Sequence, residues 1–506
     1  MHSAYKALIG VAVGFTAWSL SVDGAYAADL TFNKSTVNAP FELTHPIIAA
    51  DVLPQSGKEL IAFGIDDMKQ RQMAIYQLVE GEYKLLHQYQ LPLAVHSFDI
   101  TSSTTNDLQQ LYFLSQDELL LMQPQPIDTL LNLASVAQIN SLSFKERPDF
   151  ISRGEFVKDL NGDSRDDILI HDFTQAHLFL ATEQGFNRQT LPIKPQSRLF
   201  EDGATYTQSV VYISDFDLDG LADIVKIGEG ELEVYKQTDA KVFDPVAQYV
   251  SVSQPISGID WWNKRDAYGE PLDQSELIYR KVEHLKDLND DGISDMVIRY
   301  TKSTSVFDRV NDYEIYLGEP KEGRISFPKT PSSVVRAEGT LTGLEFVDID
   351  SDNKDEVMVA GFDIGVSQVV GAILSGSIAQ DVHLFKMDAN SRYSDESNVT
   401  KEVELNFSLS SGQSGNPVVK LADLNGDGLK DLLLSEDEST LRIYLGKAGN
   451  GLFSRKAQEH ELQLPTDGEM IIVEDLNDDG REDLLIKYGR QDDKSLANQF
   501  RVFFAG

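Results

Sequence analysis

A nine-residue acidic segment occurs six times in this sequence, each time between two short apolar runs. The copy at 423–431 reads Asp-Leu-Asn-Gly-Asp-Gly-Leu-Lys-Asp and leads into the run 432–434, which is Leu-Leu-Leu. Apolar runs this short predict strands and not helices. Each copy therefore predicts a strand, an acidic loop and a second strand. The six segments are 159–167, 215–223, 287–295, 348–356, 423–431 and 475–483.

Two weaker copies precede these six, and we place their first acids at Asp51 and Asp99. The first has Leu53 and Gln55 where the other copies carry oxygen-bearing side chains, and the second has Thr101 and Ser103. We therefore expect both weaker copies to have kept the strands and lost the acidic cluster. With them, the repeat interval averages about 60 residues.

The repeat interval predicts the fold. Most copies are followed by an alternating apolar run, such as 231–235 or 441–446, and then by a turn, which predicts a third and a fourth strand. Four short strands in about 60 residues make one propeller blade. We predict an all-β chain with a single β-propeller over 28–506, of eight blades, or of seven if one weak copy is not a blade. A tandem of β-sandwiches would repeat near 100 residues, which is not seen.

The two ends of the chain complement each other. The last copy supplies only three strands before the chain stops, and a spare strand, Leu30–Phe32, precedes the first copy. A closed ring has no free strand edge. We therefore expect the N-terminal strand to complete the last blade.

The first 27 residues have the pattern of a secretory signal peptide. Lys6 precedes an apolar run over 7–20, and the small residues Ala25 and Ala27 predict cleavage before Ala28. The alternative is an uncleaved anchor, for which the run is short. We expect an exported bacterial protein, periplasmic or extracellular, with no transmembrane segment after cleavage.

Composition excludes several classes of function. Asp and Glu number 81 against 44 Lys and Arg, so the net charge is −37, which repels nucleic acid and favours cations. The chain has no cysteine, which excludes disulfides, thiolate metal sites and cysteine nucleophiles.

The spacing of the acidic segments predicts metal sites. Positions 1, 3, 5 and 9 always carry a side-chain oxygen, position 7 varies and would offer its carbonyl, and position 6 is glycine in four copies, which suits a positive φ. Oxygen ligands in a flexible loop favour calcium, so we expect about six Ca²⁺ ions. One such loop would be ambiguous with an ordinary turn, but six with the same spacing favour metal. The predicted ligands at positions 1, 3, 5, 7 and 9 are Asp159, Asn161, Asp163, Arg165, Asp167; Asp215, Asp217, Asp219, Leu221, Asp223; Asp287, Asn289, Asp291, Ile293, Asp295; Asp348, Asp350, Asp352, Lys354, Glu356; Asp423, Asn425, Asp427, Leu429, Asp431; and Asp475, Asn477, Asp479, Arg481, Asp483.

These loops resemble the FG-GAP and VCBS-type calcium repeats, including those of the integrin α β-propeller. The resemblance covers nearly all of residues 41–506. It implies a propeller with calcium in the hairpin loops of its blades, and a binding or adhesion role.

A second candidate site is a long interval between repeats, over 258–279. It holds the two tryptophans of the mature chain, Trp261 and Trp262, with Tyr268 close by. Exposed aromatic side chains beside charged groups hold sugars and protein partners. The alternative is that this segment packs over its blade, since large aromatic side chains are usually buried.

Two classes of function fit these observations. The first is a secreted module that binds an extracellular glycan or protein, with calcium in a structural role. The second is a polysaccharide-active enzyme such as a lyase, which needs a base and a charge-stabilising group in one cleft. The acidic clusters are assigned to metal, and the sequence has no Gly-x-Ser-x-Gly, His-Glu-x-x-His or phosphate loop, so we assign no catalytic residue and favour binding over catalysis.

Overall fold

The computed structural model describes residues 29–54, 57–102, 108–123, 131–142, 150–200, 203–266, 269–305, 308–337, 340–362, 377–408 and 413–506. The predicted signal peptide and its cleavage site lie outside the described residues, as do Gln55, Ser103 and Tyr268.

The described chain is all-β, and its helical content is limited to three single-turn 3₁₀ helices, at Trp261–Asn263, Gly468–Met470 and Lys494–Leu496. Among the described residues, no helix has the length and apolar character needed to span a membrane.

The strands form eight successive antiparallel units of four strands within the described residues. We number them 1 to 8 and refer to the strands of each unit by their order in the list that follows. They are unit 1, Ile48–Ala50, Glu59–Ile65, Arg71–Val79, Glu82–Gln90; unit 2, Val95–Ile100, Leu111–Ser115, Glu118–Met122, Leu133–Gln138; unit 3, Val157–Lys158, Asp167–His171, Ala176–Thr182, Gly185–Leu191; unit 4, Val211–Ser214, Asp223–Ile227, Glu231–Tyr235, Gln248–Ser251; unit 5, Leu277–Lys286, Asp295–Ser305, Asp308–Tyr316, Ser333–Val335; unit 6, Thr340–Val347, Glu356–Phe362, Ser377–Phe385, Val399–Ser408; unit 7, Val419–Ala422, Asp431–Ser435, Thr440–Tyr444, Gln458–Glu461; and unit 8, Ile471–Glu474, Asp483–Lys487, Gln499–Ala505, Phe32–Asn38.

A few strands lie outside this scheme. Glu42–Leu43 pairs with the second strand of unit 1, Ser152–Arg153 runs parallel to the first strand of unit 2, and Gln413–Gly415 pairs with the fourth strand of unit 6. Two hairpins stand alone, Gln196–Phe200 with Gly203–Thr207 and Glu319–Lys321 with Arg324–Ser326. Units 5 and 6 are joined into one sheet by a single parallel pair, Asn311 with Thr340.

The apolar runs that follow the acidic segments become the second strands of the units. In Asp167–His171 and in Asp483–Lys487 every residue is buried. A strand covered on both faces needs an unbroken apolar run and not an alternating one, which explains why these segments do not alternate in the sequence.

The core consists of eight apolar clusters, and each lies between two consecutive units. Leu178 of unit 3 and Ile224 of unit 4 share one cluster, and Val357 of unit 6 shares another with Ile315 of unit 5. The cluster with Leu485 of unit 8 contains residues of unit 1. The packing contacts therefore return to the unit where they began, as they do in a propeller.

The last unit is completed by the beginning of the chain. Phe32–Asn38 pairs antiparallel with Gln499–Ala505 over seven residue pairs, from Phe32 opposite Ala505 to Asn38 opposite Gln499. The spare strand inferred from the sequence over 30–32 reaches only the beginning of this strand. Unit 8 therefore depends on residues from both ends of the chain.

Chain direction sorts the connections into two edges. In an antiparallel unit, the turns from first to second strand and from third to fourth strand lie at one end. The turns from second to third strand, and the connections from one unit to the next, lie at the other end. All six acidic segments connect a first strand to a second strand, so they share one edge, the acidic edge. The tryptophan-bearing interval connects unit 4 to unit 5 and lies at the opposite edge.

Candidate metal sites and binding surface

The six acidic segments adopt one backbone arrangement. In unit 7, Oδ1 of Asp423 accepts hydrogen bonds from the N–H groups of Gly426 at 2.8 Å and Asp427 at 3.1 Å, and Oδ2 accepts one from Gly428 at 2.8 Å. The bond from the position-6 N–H to the position-1 carboxylate recurs in every copy, at 2.7–2.9 Å. The first acid therefore curls the backbone of the segment around its own carboxylate.

Two positions in each segment have a positive φ. At position 6, φ lies between 63° and 89°, and Ser164 and Asn353 adopt this conformation as the glycines do. Position 4 is also left-handed in all six copies, a feature that the sequence analysis missed. The signal for it was Gly162 and Gly426, the glycines at position 4 of two copies. Leu218 holds the same conformation at 60°, which is costly for a side chain of that size.

The acid at position 9 is buried and bonded twice to the backbone. In unit 8, Oδ2 of Asp483 accepts the N–H of Leu476 at 3.1 Å, and Oδ1 accepts the N–H of Ala505 at 2.9 Å. The same pair of bonds occurs in units 3, 4, 5 and 7. Position 9 thus anchors its loop to the end of the third strand of its own unit.

Burial raises the pKa of each position-9 carboxyl. Two backbone N–H groups oppose this effect in most copies, and neighbouring loop carboxylates add to it. The pKa rises to about 6 in Asp431 and to about 7 in Asp295. In unit 6 the ammonium group of Lys386 also opposes the rise in the pKa of Glu356, which still reaches about 7.

The donors of each segment suit a hard cation. Positions 1, 3, 5 and 9 of each loop supply carboxylate and amide oxygens, and none of these positions supplies a nitrogen or sulfur ligand. In unit 4, oxygens of Asp215, Asp217 and Asp219 all lie within 4.8 Å of one another, as do those of Asp348, Asp350 and Glu356 in unit 6. The residue types and the turn of the chain fit calcium; the carbonyls of position 7 stay a prediction.

The acidic edge also joins the units to one another. At four seams, the N–H of position 8 donates to the carbonyl of position 1 or 2 in the neighbouring loop, and at the other four seams a nearby group makes the contact. Around the molecule the contacts are Lys58 to Leu476, Glu482 to Asp423, Lys430 to Ile349, Asp355 to Leu288, Ile325 to Phe216, Gln237 to Asn161, Ser102 to Asp166 and Gln109 to Asp51, at 2.7–3.2 Å. We call this set of bonds the seam belt.

The first weak copy retains more than the sequence analysis recognised. Glu59 lies eight residues after Asp51, at position 9, and is 1% exposed. Its Oε2 accepts the N–H groups of Val52 and Leu53, both at 3.0 Å, and burial raises its pKa to about 7. The signal was the spacing itself, since Glu59 is the acid that position 9 requires.

The second weak copy was aligned wrongly from the sequence. Asp99 does not begin a loop, because it lies inside the first strand of unit 2 and is 1% exposed. Its carboxylate accepts the N–H of Val157 at 2.8 Å and contacts Arg153 at 3.2 Å. It therefore secures the entry to unit 3, and the residue that follows the strand, at position 1, is Thr101.

The tryptophan insertion, residues 258–266 and 269–279 as described, has one buried and one exposed indole. Trp261 is 8% exposed and Trp262 is 47% exposed, with their rings edge to face at 5.4 Å. The guanidinium of Arg309 lies 4.9 Å from the ring centre of Trp261, and that of Arg299 lies 5.3 Å from that of Trp262. Trp261 therefore packs over unit 5, and Trp262 is presented to solvent.

An ionic network holds Arg299, the residue that lies against the exposed indole of Trp262. Arg299 contacts the carboxylates of Asp260 and, at 3.1 Å, Glu283. Lys281 lies 3.4 Å from Asp260 and 2.9 Å from Glu283. Such a network holds the guanidinium under Trp262 in place, so the ring is held before any ligand arrives.

Two more exposed aromatic side chains share this edge. Phe173, in the turn after the second strand of unit 3, is 48% exposed, and Tyr206 of the hairpin 196–207 is 42% exposed. Their rings meet edge to face at 5.0 Å. The same hairpin contacts the insertion, because Nε2 of Gln196 lies 3.4 Å from the carbonyl oxygen of Gly258. The sequence analysis missed both residues, since single aromatics in loops carry no periodic signal.

A cleft of about 990 Å³ lies elsewhere, among units 1, 2 and 3. His87, Tyr89, Tyr112 and Arg165 line it, and the rings of His87 and Tyr89 are 5.7 Å apart. Burial raises the pKa of Tyr89 above its ordinary value and that of Tyr112 to about 12. A tyrosine that acts as a base needs the opposite shift.

Sequence comparison identifies one part of the chain. Residues 423–486 are an FG-GAP-like repeat. This stretch contains the acidic loop of unit 7, the connection to unit 8 and the acidic loop of unit 8. This match is similar to the resemblance seen in the loops and covers only these two units. No curated protein matches the chain.

The chain is distantly similar to several solved structures. A lectin of Agrocybe aegerita that recognises non-reducing terminal N-acetylglucosamine is 12% identical, over 83% of this chain and 80% of that one, with a TM-score of 0.35. The Vibrio cholerae biofilm matrix protein Bap1 is 11% identical, over 94% and 92%, with a TM-score of 0.37. The WD40 domain of SCAP from fission yeast is 9% identical, over 81% and 95%, with a TM-score of 0.31. Likenesses this distant carry no function to this chain.

Proposed function

We propose that this protein is an exported, calcium-stabilised β-propeller of eight blades that binds an extracellular glycan or protein. The acidic edge is the structural edge, where calcium holds the loops. The opposite edge of units 3 to 5 is the binding edge. The observation that carries the proposal is Trp262, an exposed indole that an ionic network holds at the edge away from the acidic loops.

The cyclic order of contacts supports eight blades. Eight antiparallel units, eight apolar clusters between them and a seam belt that links unit 8 to unit 1 are what a closed ring of eight requires. Seven blades would leave one unit without a place in this order.

The position of the acidic loops supports a structural role for calcium. Each loop contributes a carbonyl or an N–H group to the seam belt, so an ion inside the loop would stiffen the contact between two blades. A carboxylate at position 1, 3, 5 or 9 cannot act as an acid or base once it ligates the metal, which favours binding over catalysis.

The exposed aromatic side chains of the binding edge support a role in recognition. Phe173, Tyr206 and Trp262 are each more than 40% exposed and lie on units that follow one another. Aromatic faces next to charged groups bind sugar rings and protein side chains, because one surface supplies apolar contact and the charged neighbours supply hydrogen bonds.

Replacing Trp262 by alanine tests the binding edge. We expect Trp262→Ala to weaken binding by about 30-fold or more, since an aromatic anchor at the centre of an interface is worth about 2 kcal/mol or more. A printed glycan array of neutral and acidic oligosaccharides would first identify a bound glycan for the wild type. Calorimetric titration of that glycan would then compare the two proteins.

Trp261→Ala is the matched control, because Trp261 is buried beside the same loop. It should lose about 3–5 kcal/mol of stability, whereas Trp262→Ala should lose the contacts with Arg299 and with the ring of Trp261, about 1–2.5 kcal/mol together. A folded Trp262→Ala protein that binds as tightly as the wild type would show that the insertion is not the binding surface.

The alternative function is a polysaccharide-active enzyme of the lyase type. The cleft that holds His87, Tyr89 and Arg165 is the place to look for it. Incubation with acidic polysaccharides, followed at the absorbance of unsaturated products, distinguishes the two functions. The binding proposal expects no such product.

A further inference from the structure

Position 3 divides the six acidic loops into two kinds. Four loops carry asparagine, in units 3, 5, 7 and 8, and two carry aspartate, Asp217 in unit 4 and Asp350 in unit 6. The aspartate loops therefore hold four carboxylates at ligand positions, and the asparagine loops hold three.

The same two units differ at a second place, near the end of the third strand. In units 3, 4, 5, 7 and 8 this residue immediately precedes the one whose N–H donates to Oδ1 of the position-9 aspartate. In unit 6 it is the first residue after the third strand, as it also is in unit 4. It is Leu180, Leu317, Leu445 and Phe504 in the asparagine units, and Lys236 and Lys386 in the aspartate units. The apolar residues at this position pack in the core between units, so a lysine gives up a packing contact.

Lys386 occupies the centre of the unit 6 loop. Its Nζ lies 2.7 and 2.6 Å from the two carboxylate oxygens of Asp350, 2.9 Å from Asp352 and 3.4 Å from Glu356. These are positions 3, 5 and 9, three of the four side-chain ligands. The lysine side chain is 12% exposed and Glu356 is fully buried. A calcium ion needs the same oxygens at 2.3–2.6 Å, so it and the ammonium exclude each other.

Lys236 reaches the unit 4 loop at a single ligand position. Its Nζ contacts Oδ2 of Asp217, the position-3 carboxylate, which raises its pKa. The aspartate and lysine thus pair in both units, while the asparagine units have neither.

Charge alone does not distinguish two roles for these lysines. An aspartate loop with four carboxylates and one lysine has the same net charge, −3, as an asparagine loop with three carboxylates. The lysine could therefore offset the extra carboxylate and leave room for a calcium ion beside it. The position of Nζ in unit 6 decides against this, because it stands among the ligands and not outside them.

We infer that Lys386 and Lys236 are built-in cations that replace calcium in the loops of units 6 and 4, so that the chain binds four calcium ions. The inference rests on the proposed function, because it assumes that the four asparagine loops hold calcium. With the lysines in place, the loops of units 4 and 6 would not depend on calcium for their structure. The other four loops would respond to calcium concentration.

Removal of the lysine should create a calcium site. We expect the wild type to bind four ions of calcium and Lys386→Leu to bind five, as measured by calorimetric titration with calcium alone and by elemental analysis after dialysis. Leucine is the residue that units 3, 5 and 7 carry at this position. Lys401→Leu is the control, because Lys401 lies in the fourth strand of the same unit and its Nζ lies 3.9 Å from the ring centre of Tyr444, outside the acidic loop. It should bind four.

Introducing the aspartate and the lysine into an asparagine loop tests the inference in a different unit. Asn425→Asp combined with Leu445→Lys builds an aspartate–lysine loop in unit 7 and should lower the count from four to three. Circular dichroism confirms that each variant is folded. A count of six for the wild type, or an unchanged count for Lys386→Leu, would overturn the inference and leave the proposed function standing. If neither the wild type nor Lys386→Leu binds calcium, the inference and the proposed function are both contradicted. If the wild type binds none and Lys386→Leu binds one ion, the result supports the role of Lys386 and contradicts calcium binding by the other loops.

Discussion

We expect removal of calcium to lower the melting temperature of the protein by about 10 °C. A ligand present at 100 times its dissociation constant stabilises the folded state by about 2.7 kcal/mol, so four independent ions contribute about 11 kcal/mol. Unfolding entropy of about 2.1 cal/mol/K per residue amounts to about 1 kcal/mol/K for a chain of this length. Dividing the stabilisation by calcium by this unfolding entropy gives the expected shift in melting temperature. Four ions thus contribute as much as the whole stability of a typical domain, about 5–15 kcal/mol.

Differential scanning calorimetry with and without a calcium chelator measures this shift. Because the chain carries a net charge of −37, any cation can raise its stability by screening. The control is therefore magnesium at equal ionic strength, which should restore little of the loss, whereas excess calcium should restore all of it. A melting temperature that is indifferent to the chelator, or that magnesium restores fully, would rule out specific calcium sites.

Deletion of residues 28–38 exposes an open strand edge and destabilises the protein. The deletion removes the fourth strand of unit 8, with its seven residue pairs, and the buried side chains of Leu30 and Val37. Two apolar side chains at about 1.5–3 kcal/mol each make a loss of roughly 3–6 kcal/mol, before the lost strand pairing is counted. The third strand, Gln499–Ala505, then becomes an edge with free N–H and carbonyl groups, which favours aggregation.

Size-exclusion chromatography over a concentration series, together with melting curves, checks this prediction. A synthetic peptide of residues 28–38 added to the truncated protein is the control, and it should restore part of the melting temperature and reduce the aggregates. A truncated protein that stays monomeric and melts like the full chain would mean that the ring does not depend on this pairing.

The repeat pattern predicted the strands and the loops of the six acidic copies. Apolar runs beside segments such as 423–431 became second strands, because an acidic loop and an apolar strand alternate with little ambiguity. The pairing of an N-terminal strand with the last strand was also predicted, but at 30–32, whereas the strand spans Phe32–Asn38. These predictions rest on local sequence and on one topological rule.

Features that depend on distant residues escaped the sequence analysis. Asp99 looked like the first acid of a loop, but its partners Arg153 and Val157 lie more than 50 residues away. Lys386 lies 36 residues from Asp350, so nothing in the loop sequence indicated that an ammonium group would enter it. The expected number of ions falls from six to four for this reason.

The binding edge was predictable only in part. The insertion at 258–279 stood out by its length, but its sequence did not reveal which tryptophan would be buried. That distinction depends on Arg309 and Arg299, which come from unit 5 and lie against opposite members of the pair. Phe173 and Tyr206 come from separate connections and meet only in the folded chain.

The most direct test of the account is the number of calcium ions that Asp427→Ala binds. Asp427 supplies position 5 of an asparagine loop, where its Oδ1 already orders the chain by accepting the N–H of Leu429 at 2.9 Å. Calorimetric titration with calcium should give four ions for the wild type and three for Asp427→Ala. The control, Asp395→Ala, changes an exposed aspartate outside the loops and should still bind four. If Asp427→Ala binds as many ions as the wild type, or the wild type binds none, the acidic loops are not calcium sites.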